Sequence, residues 1–513
     1  AAARNFAHLV RAGALGRYGL YEALDYTPER LAEGQPVAIV RCYMAHHQGM
    51  SLVALDNVIH DGVMRHRFHG IPRVQATDLL LQERNPRGAD TRGPRVIKVH
   101  TAAQVMVLAP ARRPSPTSAV PSTQLLSNGR YAVMVTAAGA GYSTWEGLAV
   151  TRWREDRTRD DRGSFLYLRD LTSGRVWSAG YQPTQAVPDR YEAVFREDRV
   201  RITRTDGAIA SKLEILVSPE NDAEIRHLSL TNQGLLTVEI ELTSYAEIVL
   251  APPRADLAHP AFSNLFVQTE FLPQFHGLLA RRRTRGATDP QVWAAHLLSR
   301  FDTHNGLQYE TDRARFIGRG QTTRAPVAVM AGGPLSNTVG AVLDPIFSLR
   351  TRVRIPAGGA AQVTFTTLAA GSREALLALA DQYHYPATFE RVSALAWTQA
   401  QVRLHHLRIS PDEAQLFQAL ANHLLYANPL PRPSSRVMQL NQGNVTGLWR
   451  HGISGDRPIL LLRVSEPEER GLVDQLLRAH EYWRLKGLAV DLVIFNAKTL
   501  SYAQDLHDLL EGL

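Results

Sequence analysis

The sequence predicts a multidomain protein of mixed α and β structure, with a large antiparallel β-sandwich between two helical segments. Three observations lead to this fold class: a proline-rich stretch around residue 115, apolar residues with a period of two from about 124 to 370, and a helical period after Ser372. The length of 513 residues is too great for one ordinary core and predicts about three domains.

The first segment, residues 1–92, is predicted to be helix and loop because its apolar residues recur at three- and four-residue spacing. The chain starts at Ala1 without an initiator methionine and runs directly into patterned sequence, so we expect a fragment of a longer protein. Four prolines fall within residues 108–123, where they exclude a helix or a central strand. Residues 93–123 are therefore predicted to be a linker.

The second segment, residues 124–371, alternates apolar and polar side chains, for example from Leu236 to Leu242. Turn sequences such as Asp206-Gly207 separate these runs. Because this pattern continues without an intervening helical period, it predicts a large antiparallel sandwich.

Helical signals return in the last segment. Ser410 begins a capping box with proline at the first helical position, and the sequence from Ser465 repeats this device before a helix that Gly487 ends. A third amphipathic helix is predicted from Thr499 to Leu510. We therefore expect linker helices over 372–430 and the start of a helical array over 431–513.

Composition excludes several functions. The net charge of +8 comes from 57 basic residues of which only four are lysines. Arginines such as Arg154 and Arg157 stand next to Asp or Glu rather than in one basic stripe, so we expect no nucleic-acid partner. No apolar run is long enough to span a membrane and no secretion signal is visible, so we expect a cytoplasmic protein without membrane contact. The single cysteine, Cys42, excludes an internal disulfide and fits a reducing compartment.

The loop from Gly447 to Pro458 carries the strongest functional signal. It combines a flat aromatic ring, Trp449, with the guanidinium of Arg450 and the carboxylate of Asp456. An indole face suits the C–H surface of a pyranose, and charged planar groups suit its vicinal hydroxyls. The alternative is a loop at the start of a helix, in which Asp456 caps backbone N–H groups and Arg450 pairs with an acid.

Three blocks of sequence resemble the bacterial cyclic β-1,2-glucan synthases. Residues 16–27 and 43–52 resemble the end of their glycoamylase-like helical domain. Residues 141–178, with the His-Pro-Ala-Phe block at 259–266, resemble the β-sandwich that begins the phosphorylases of glycoside hydrolase family 94. The loop from Trp449 to Pro458 resembles the beginning of that family's (α/α)6 barrel.

This resemblance implies the architecture and the parent activity. Residues 1–92 would be the C-terminal part of the glycoamylase-like domain, 124–371 a galactose-mutarotase-like supersandwich, and 431–513 the start of a truncated (α/α)6 barrel. The parent would be attached to the bacterial inner membrane and transfer glucosyl groups. Its phosphorylase-like region would bind β-1,2-linked glucan and control chain length by phosphorolysis or glucosyl transfer, with inorganic phosphate as co-substrate. A homodimer through the β-sandwich is also implied.

The resemblance gives Arg450 and Asp456 a role beside the broken bond, with Trp449 as a neighbour. Inverting phosphorylases need one protonated carboxyl, since phosphate replaces the activated water. The family's acid lies further along the barrel than this chain extends, so we assign no catalytic residue. We therefore expect the fragment itself to be inactive and to need no cofactor.

Further sugar contacts are predicted in two places. Glu22 and His47 would face the carbohydrate cleft of the helical domain, whereas His46 and His47 are adjacent and poorly placed to chelate a metal, so no metal site is expected. The second place is a lid over a partner's cleft, built from Trp145, Arg152, Trp153 and Arg154. The alternative makes these aromatics sandwich core and these charges exposed ion pairs.

Four aspartates follow this lid sequence, at positions 156, 160, 161 and 170, and we expect them to be solvated or salt-bridged. Two other functions remain open. The chain could be a complete, non-catalytic carbohydrate-binding or scaffold protein, or an active stand-alone phosphorylase. The missing acid argues against the latter.

Overall fold

The structure is a computed structural model that describes residues 2–27, 31, 35–69, 111–284, 286, 289–300, 306–426, 428 and 432–497. The chain divides into two compact units, Ala1–Lys98 and Val99–Leu513. No helix in the described ranges is long and apolar enough to cross a membrane.

The first unit is built from short elements. These are α1 (Ala2–Arg11), β1 (Leu15–Gly16), β2 (Gly19–Leu20), β3 (Ala23–Asp25), β4 (Ala38–Val40), α2 (Ala45–Ile59) and α3 (Val63–His69). Strands β1 and β2 pair antiparallel, as do β3 and β4. The prediction of helix and loop missed these two hairpins, because strands of two or three residues are too short to show a period. Residues 70–92 of the predicted segment lie outside the described ranges.

The second unit is dominated by antiparallel strands. They are β5 (Thr123–Ser127), β6 (Tyr131–Thr136), β7 (Gly141–Trp145), β8 (Leu148–Thr151), β9 (Phe165–Asp170), β10 (Val176–Ser178), β11 (Arg190–Phe195), β12 (Val200–Asp206), β13 (Ile209–Val217), β14 (Ala223–Asn232), β15 (Val238–Ala251), β16 (Val267–Leu272), β17 (Gly277–Arg282), β18 (Trp293–Arg300), β19 (Gln308–Asp312), β20 (Pro345–Ile355) and β21 (Ala360–Ala370).

Two sheets form from these strands. Within the described ranges, the first has nine strands, in the order β10-β9-β15-β8-β7-β6-β5 with β19 and β20 joined beside β15, and the second has eight, in the order β11-β12-β13-β14-β21-β18-β17-β16. Their inner faces enclose one apolar core that includes Trp177, Phe195 and Leu242. The predicted fold class, a large sandwich combined with helices, is confirmed.

The predicted alternation from Leu236 to Leu242 is only partly correct. Ile240 and Leu242 are fully buried in β15, as the period of two requires, but Leu236 is 79% exposed because it belongs to the turn before the strand. Glu241 is also buried, where Arg350 and Arg352 pair with its carboxylate. Ion pairing therefore allows a charged side chain at a position with little exposure.

Helices of the second unit connect and cover the sheets. They are α4 (Pro253–Ala258), α5 (Pro260–Asn264), α6 (Arg313–Ile317), α7 (Val327–Met330), α8 (Arg373–Tyr383), α9 (Thr388–His406), α10 (Pro411–Leu425), α11 (Ser435–Gln439), α12 (Thr446–Trp449) and α13 (Arg470–Leu485). Helices α8 and α9 place Leu376, Tyr383 and Val392 against the outer face of the eight-stranded sheet. This contact forms a second apolar core.

Helix α10 covers an edge of the nine-stranded sheet. The predicted capping box is confirmed, since the Ser410 hydroxyl accepts from the Glu413 N–H and the Glu413 carboxylate accepts from the Ser410 N–H. On the covered side, the Gln418 amide accepts from the N–H of Leu125 at 2.9 Å and donates to its C=O at 2.9 Å. Asn422 accepts from the Thr123 N–H at 2.8 Å. These side chains satisfy backbone groups of the edge strand β5.

The C-terminal part contains an element that the helical period did not predict. Strands β22 (Ile459–Val464) and β23 (Asp491–Asn496) pair in parallel, and α13 makes the crossover between them. Gly487 follows α13 with φ +79°, which confirms the predicted helix stop. The predicted start at Ser465 is wrong, because Glu469 holds the helix N-cap position. The third predicted helix, from Thr499 to Leu510, lies outside the described ranges.

Candidate functional site

Residues 447–458 form the Trp449 loop. The loop turns tightly after α12, where the Trp449 indole N–H donates to the C=O of Ser454 at 3.3 Å and the Ile453 N–H donates to the C=O of Leu448 at 3.2 Å. Gly455 has φ +74°, and a Cβ there would lie 2.6 Å from Val445. The loop leads into the strand β22, so the alternative interpretation as the start of a helix is wrong.

The side chains of this loop suit a polar ligand with an apolar face. Trp449 is 60% exposed, and Arg450 beside it is exposed as well. The Arg450 Nε donates to His451 Nε2 at 3.0 Å, which leaves the outer nitrogens of the guanidinium for other partners. An open indole next to an open guanidinium is the combination expected for a pyranose ring.

Asp456 contacts the sandwich. Its carboxylate Oδ1 lies 2.8 Å from Arg254 Nη1, and its backbone C=O accepts from Arg254 Nη2 at 2.8 Å. Arg254 belongs to α4, in the insertion between β15 and β16. The predicted sugar-site residues Trp449, Arg450 and Asp456 therefore share one loop, and the sequence reasoning missed the residue that holds it. Arg254 stands five residues before the His-Pro-Ala-Phe block, whose sequence carries a family resemblance but no sign of this contact.

Arg152 lies inside the sandwich. Its Nε and Nη2 both lie 3.0 Å from the Asp256 carboxylate, Nη1 donates to Glu247 at 2.7 Å, and Nη2 donates to Asn264 at 2.7 Å. Arg152 is 6% exposed, so it lacks the surface that the predicted lid contact needs. This buried ion-pair network joins the end of β8 to the insertion that carries α4 and α5.

Glu247 is the centre of that network. Burial alone would raise the pKa of the Glu247 carboxyl, but the guanidinium groups of Arg162, Arg313 and Arg152 lower it to about 2. The carboxyl is therefore ionised near neutral pH and pairs with these three guanidinium groups. The network has the composition of a structural ion-pair cluster.

The remaining predicted lid residues lie in packed surroundings. Trp145 is 7% exposed, and its indole N–H donates to Asp222 at 2.8 Å, so its ring belongs to the core. Trp153 packs edge-on against Tyr142 and Tyr426, with ring centres 5.4 and 5.7 Å apart. Arg154 is half-buried beside it. Trp153 thus joins the sandwich to the end of α10.

Asp160 contributes to the same contact between sandwich and helix. Its carboxylate accepts from the hydroxyls of Thr136 and Tyr426, each at 2.9 Å. Burial raises the pKa of Asp160 to about 7, although these two hydrogen bonds act in the opposite direction. The expectation that Asp160 is solvated or salt-bridged is wrong, because neutral hydroxyls from two elements enclose it. Asp161 does form an ion pair, with Arg159 at 3.1 Å.

In the first unit, Glu22 and His47 come together. The His47 Nδ1 is hydrogen-bonded to the Glu22 carboxylate, whose side chain is 12% exposed. The rings of Tyr21 and Tyr43 lie nearby in sequence and pack 5.4 Å apart. Across the described ranges, no group of three or more His, Cys, Asp or Glu side chains is placed to hold a metal ion.

An open groove runs along the outer face of the eight-stranded sheet. Polar side chains such as Thr203, Lys212, Ser229 and Gln362 line part of it. The hydroxyl of its aromatic residue, Tyr191, donates inward to the C=O of Ala137 at 2.7 Å. The groove therefore lacks the open aromatic face that makes the Trp449 loop the better candidate.

The two-sheet architecture and the exposed loop define the class of protein, one built on a β-supersandwich. The model of the glycosyl hydrolase 94 supersandwich domain matches residues 109–386. The chain belongs to this glycosyl hydrolase 94 family.

Curated relatives agree with the family. The chain is 41% identical to the cyclic beta-(1,2)-glucan synthase NdvB of Rhizobium meliloti, over 99% of this chain and 18% of that protein. It is 26% identical to the solabiose phosphorylase of Paenibacillus borealis, over 40% of this chain and 25% of that protein, and 25% identical to the N,N'-diacetylchitobiose phosphorylase of Vibrio proteolyticus, over 41% and 26%. The chain thus spans about a fifth to a quarter of these relatives, which are named as a glucan synthase and two phosphorylases.

Proposed function

We propose that this chain is part of a cyclic β-1,2-glucan synthase and that its Trp449 loop binds β-1,2-linked glucan. The observation that carries the proposal is the 41% identity, over 99% of the chain, to a protein named as such a synthase. The exposure of Trp449 supports it, because an exposed indole offers a surface for the C–H side of a glucosyl ring.

In the longer protein, this region would control glucan chain length by phosphorolysis or glucosyl transfer. Inorganic phosphate would be the co-substrate, as the names of the phosphorylase relatives imply for those proteins. Arg450 would hold the sugar beside the reacting bond and approach the phosphate, and Asp456 would accept from sugar hydroxyls. The general acid would come from outside this chain, so the chain alone would bind glucan without cleaving it. The longer protein would be attached to the bacterial inner membrane.

Calorimetric titration of β-1,2-gluco-oligosaccharides into the chain tests the binding site. We expect binding to wild type and a loss of at least about tenfold in Trp449→Ala and Arg450→Ala. Two matched controls should bind like wild type: Trp397→Ala removes an indole that is 54% exposed on α9, and Arg463→Ala removes an exposed arginine from β22.

Each result has a separate meaning. Equal binding by all four variants would show that the Trp449 loop is not the glucan-binding site. No binding by wild type would overturn the glucan-binding proposal and favour the scaffold function. Release of glucose 1-phosphate from glucan and phosphate by this chain would contradict the expected inactivity and support the stand-alone phosphorylase.

A further inference from the structure

Arg254, in the insertion between two strands of the sandwich, contacts the Trp449 loop. We infer that Arg254 is a positioning residue of the sugar site: it fixes the Trp449 loop to the β-sandwich so that Asp456 faces the ligand. This inference rests on the proposed function, and it gives the sandwich a part in sugar recognition from within the same chain.

The contact made by Arg254 restrains both the backbone and the side chain of Asp456. One nitrogen of its guanidinium lies 2.8 Å from the carboxylate Oδ1, and another donates to the backbone C=O at 2.8 Å. The planar fork of arginine makes two such contacts in one fixed geometry, which lysine does not reproduce. Because Gly452 and Gly455 have positive φ angles, the loop has the backbone freedom that a restraint of this kind would limit.

The helix that carries Arg254 is itself held from inside the sandwich. Helix α4 has six residues, too few to be stable alone. Its Asp256, two residues after Arg254, is 5% exposed and receives the paired contacts of Arg152. Arg152 therefore holds Asp256, Asp256 shares the helix α4 with Arg254, and Arg254 contacts Asp456.

The alternative is an ion pair that has no effect on the loop. The Arg254 and Asp456 side chains are 67% and 56% exposed, and exposed pairs commonly contribute little to stability. The two interpretations differ in what happens to the loop when Arg254 is replaced, because only a positioning residue changes the local motion of residues 447–458. Since Arg254 is exposed, its replacement should leave the chain folded.

Hydrogen exchange measured by mass spectrometry distinguishes a positioning role of Arg254 from an ion pair that has no effect on the loop. The measurement needs no ligand. The amides of His451, Gly452 and Ile453 are hydrogen-bonded within the loop, so their exchange reports its opening. In Arg254→Ala we expect these amides to exchange about tenfold faster, as for loss of a charge-assisted hydrogen bond. Arg391→Ala, which removes a comparably exposed arginine from its pair with Glu220, should leave them unchanged. Equal exchange in wild type and Arg254→Ala would overturn the inference.

Glucan titration then separates this inference from the proposed function. We expect Arg254→Ala to weaken binding of β-1,2-gluco-oligosaccharide by about tenfold and Arg254→Lys to recover only part of it, because the fork is lost while the charge is kept. If Trp449→Ala abolishes binding while Arg254→Ala binds like wild type, the positioning role fails and the proposed function stands. If wild type does not bind, the proposed function fails, and so does the role of Arg254 in recognition.

Discussion

Asp160 gives the most specific prediction about stability. Replacing it by asparagine keeps the size of the side chain and an oxygen that can accept from Thr136 or Tyr426, but removes a carboxyl that titrates. Since the pKa of Asp160 is raised to about 7 from its usual value of 3.8, the folded state binds the proton more tightly than the unfolded state. The stabilisation by this proton is complete below the usual value and is lost as the pH rises through 7.

The size of the effect follows from that difference in pKa. It spans about three pH units, and each is equivalent to about 1.4 kcal/mol, which gives an upper limit of about 4 kcal/mol. The free energy of unfolding of Asp160→Asn relative to wild type should therefore rise by about 3 to 4 kcal/mol between about pH 4 and pH 8. Above about pH 8 the difference should be constant, because Asp160 is then ionised in both states of the wild type.

Urea denaturation followed by circular dichroism at several pH values measures this difference. Asp161→Asn serves as a matched control, since it removes one negative charge from the same loop. The comparison of Asp160→Asn with wild type isolates Asp160, because all other titrating groups are common to those two proteins. A difference between Asp160→Asn and wild type that does not change with pH would refute the assignment of a raised pKa to this carboxyl.

Four further predictions concern the sandwich. Arg152→Met should lower the free energy of unfolding in urea by about 3 to 5 kcal/mol, because it removes the paired contacts of the buried Asp256 carboxylate and one of the three arginines around Glu247. A change below about 1 kcal/mol would contradict this. Since the pKa of Glu247 is lowered to about 2, its contribution to stability is present above its usual value of 4.5 and lost as the pH falls through 2. Thermal unfolding should therefore show Glu247→Gln destabilised more at about pH 7 than at about pH 2.5. Gly141→Ala should lower the free energy of unfolding in urea by about 3 kcal/mol or more, since the new Cβ would lie 1.8 Å from the Met134 carbonyl oxygen. Gly129→Ala should lower it by only about 1 kcal/mol, because there is open space around Gly129. Light scattering should give twice the chain mass if the implied homodimer forms, and a mass of 56.9 kDa would exclude it under those conditions.

The sequence predicted some helix termini correctly, because the interactions that stabilise a terminus involve residues close together in the chain. The capping box at Ser410 and the stop at Gly487 lie where they were expected, because a helix terminus is determined by residues within one turn. The pair β22 and β23 was missed although its signal is visible. Short apolar runs precede and follow α13, which is the pattern of a parallel strand pair with a helical crossover.

The contacts of the candidate site were less predictable. Trp449, Arg450 and Asp456 could be found because they share twelve residues of sequence, whereas Arg254 lies 202 residues before Asp456. The residue type alone predicts a surface position for Arg152, because arginine is mostly exposed. Its burial depends on Asp256, 104 residues away, and no pattern in a single sequence records such a pairing.

The way α10 covers β5 affects where the sandwich can be separated from the rest of the chain. A division after residue 371, suggested by the change of period at Ser372, would remove the Gln418 and Asn422 amides and leave an edge strand with open N–H and C=O groups. Open edges recruit strands of other molecules, so the isolated sandwich should associate into oligomers or aggregates. The smallest unit that remains monodisperse in solution should therefore include α10. By covering the edge strand β5, this helix prevents strands of other molecules from pairing with the sheet.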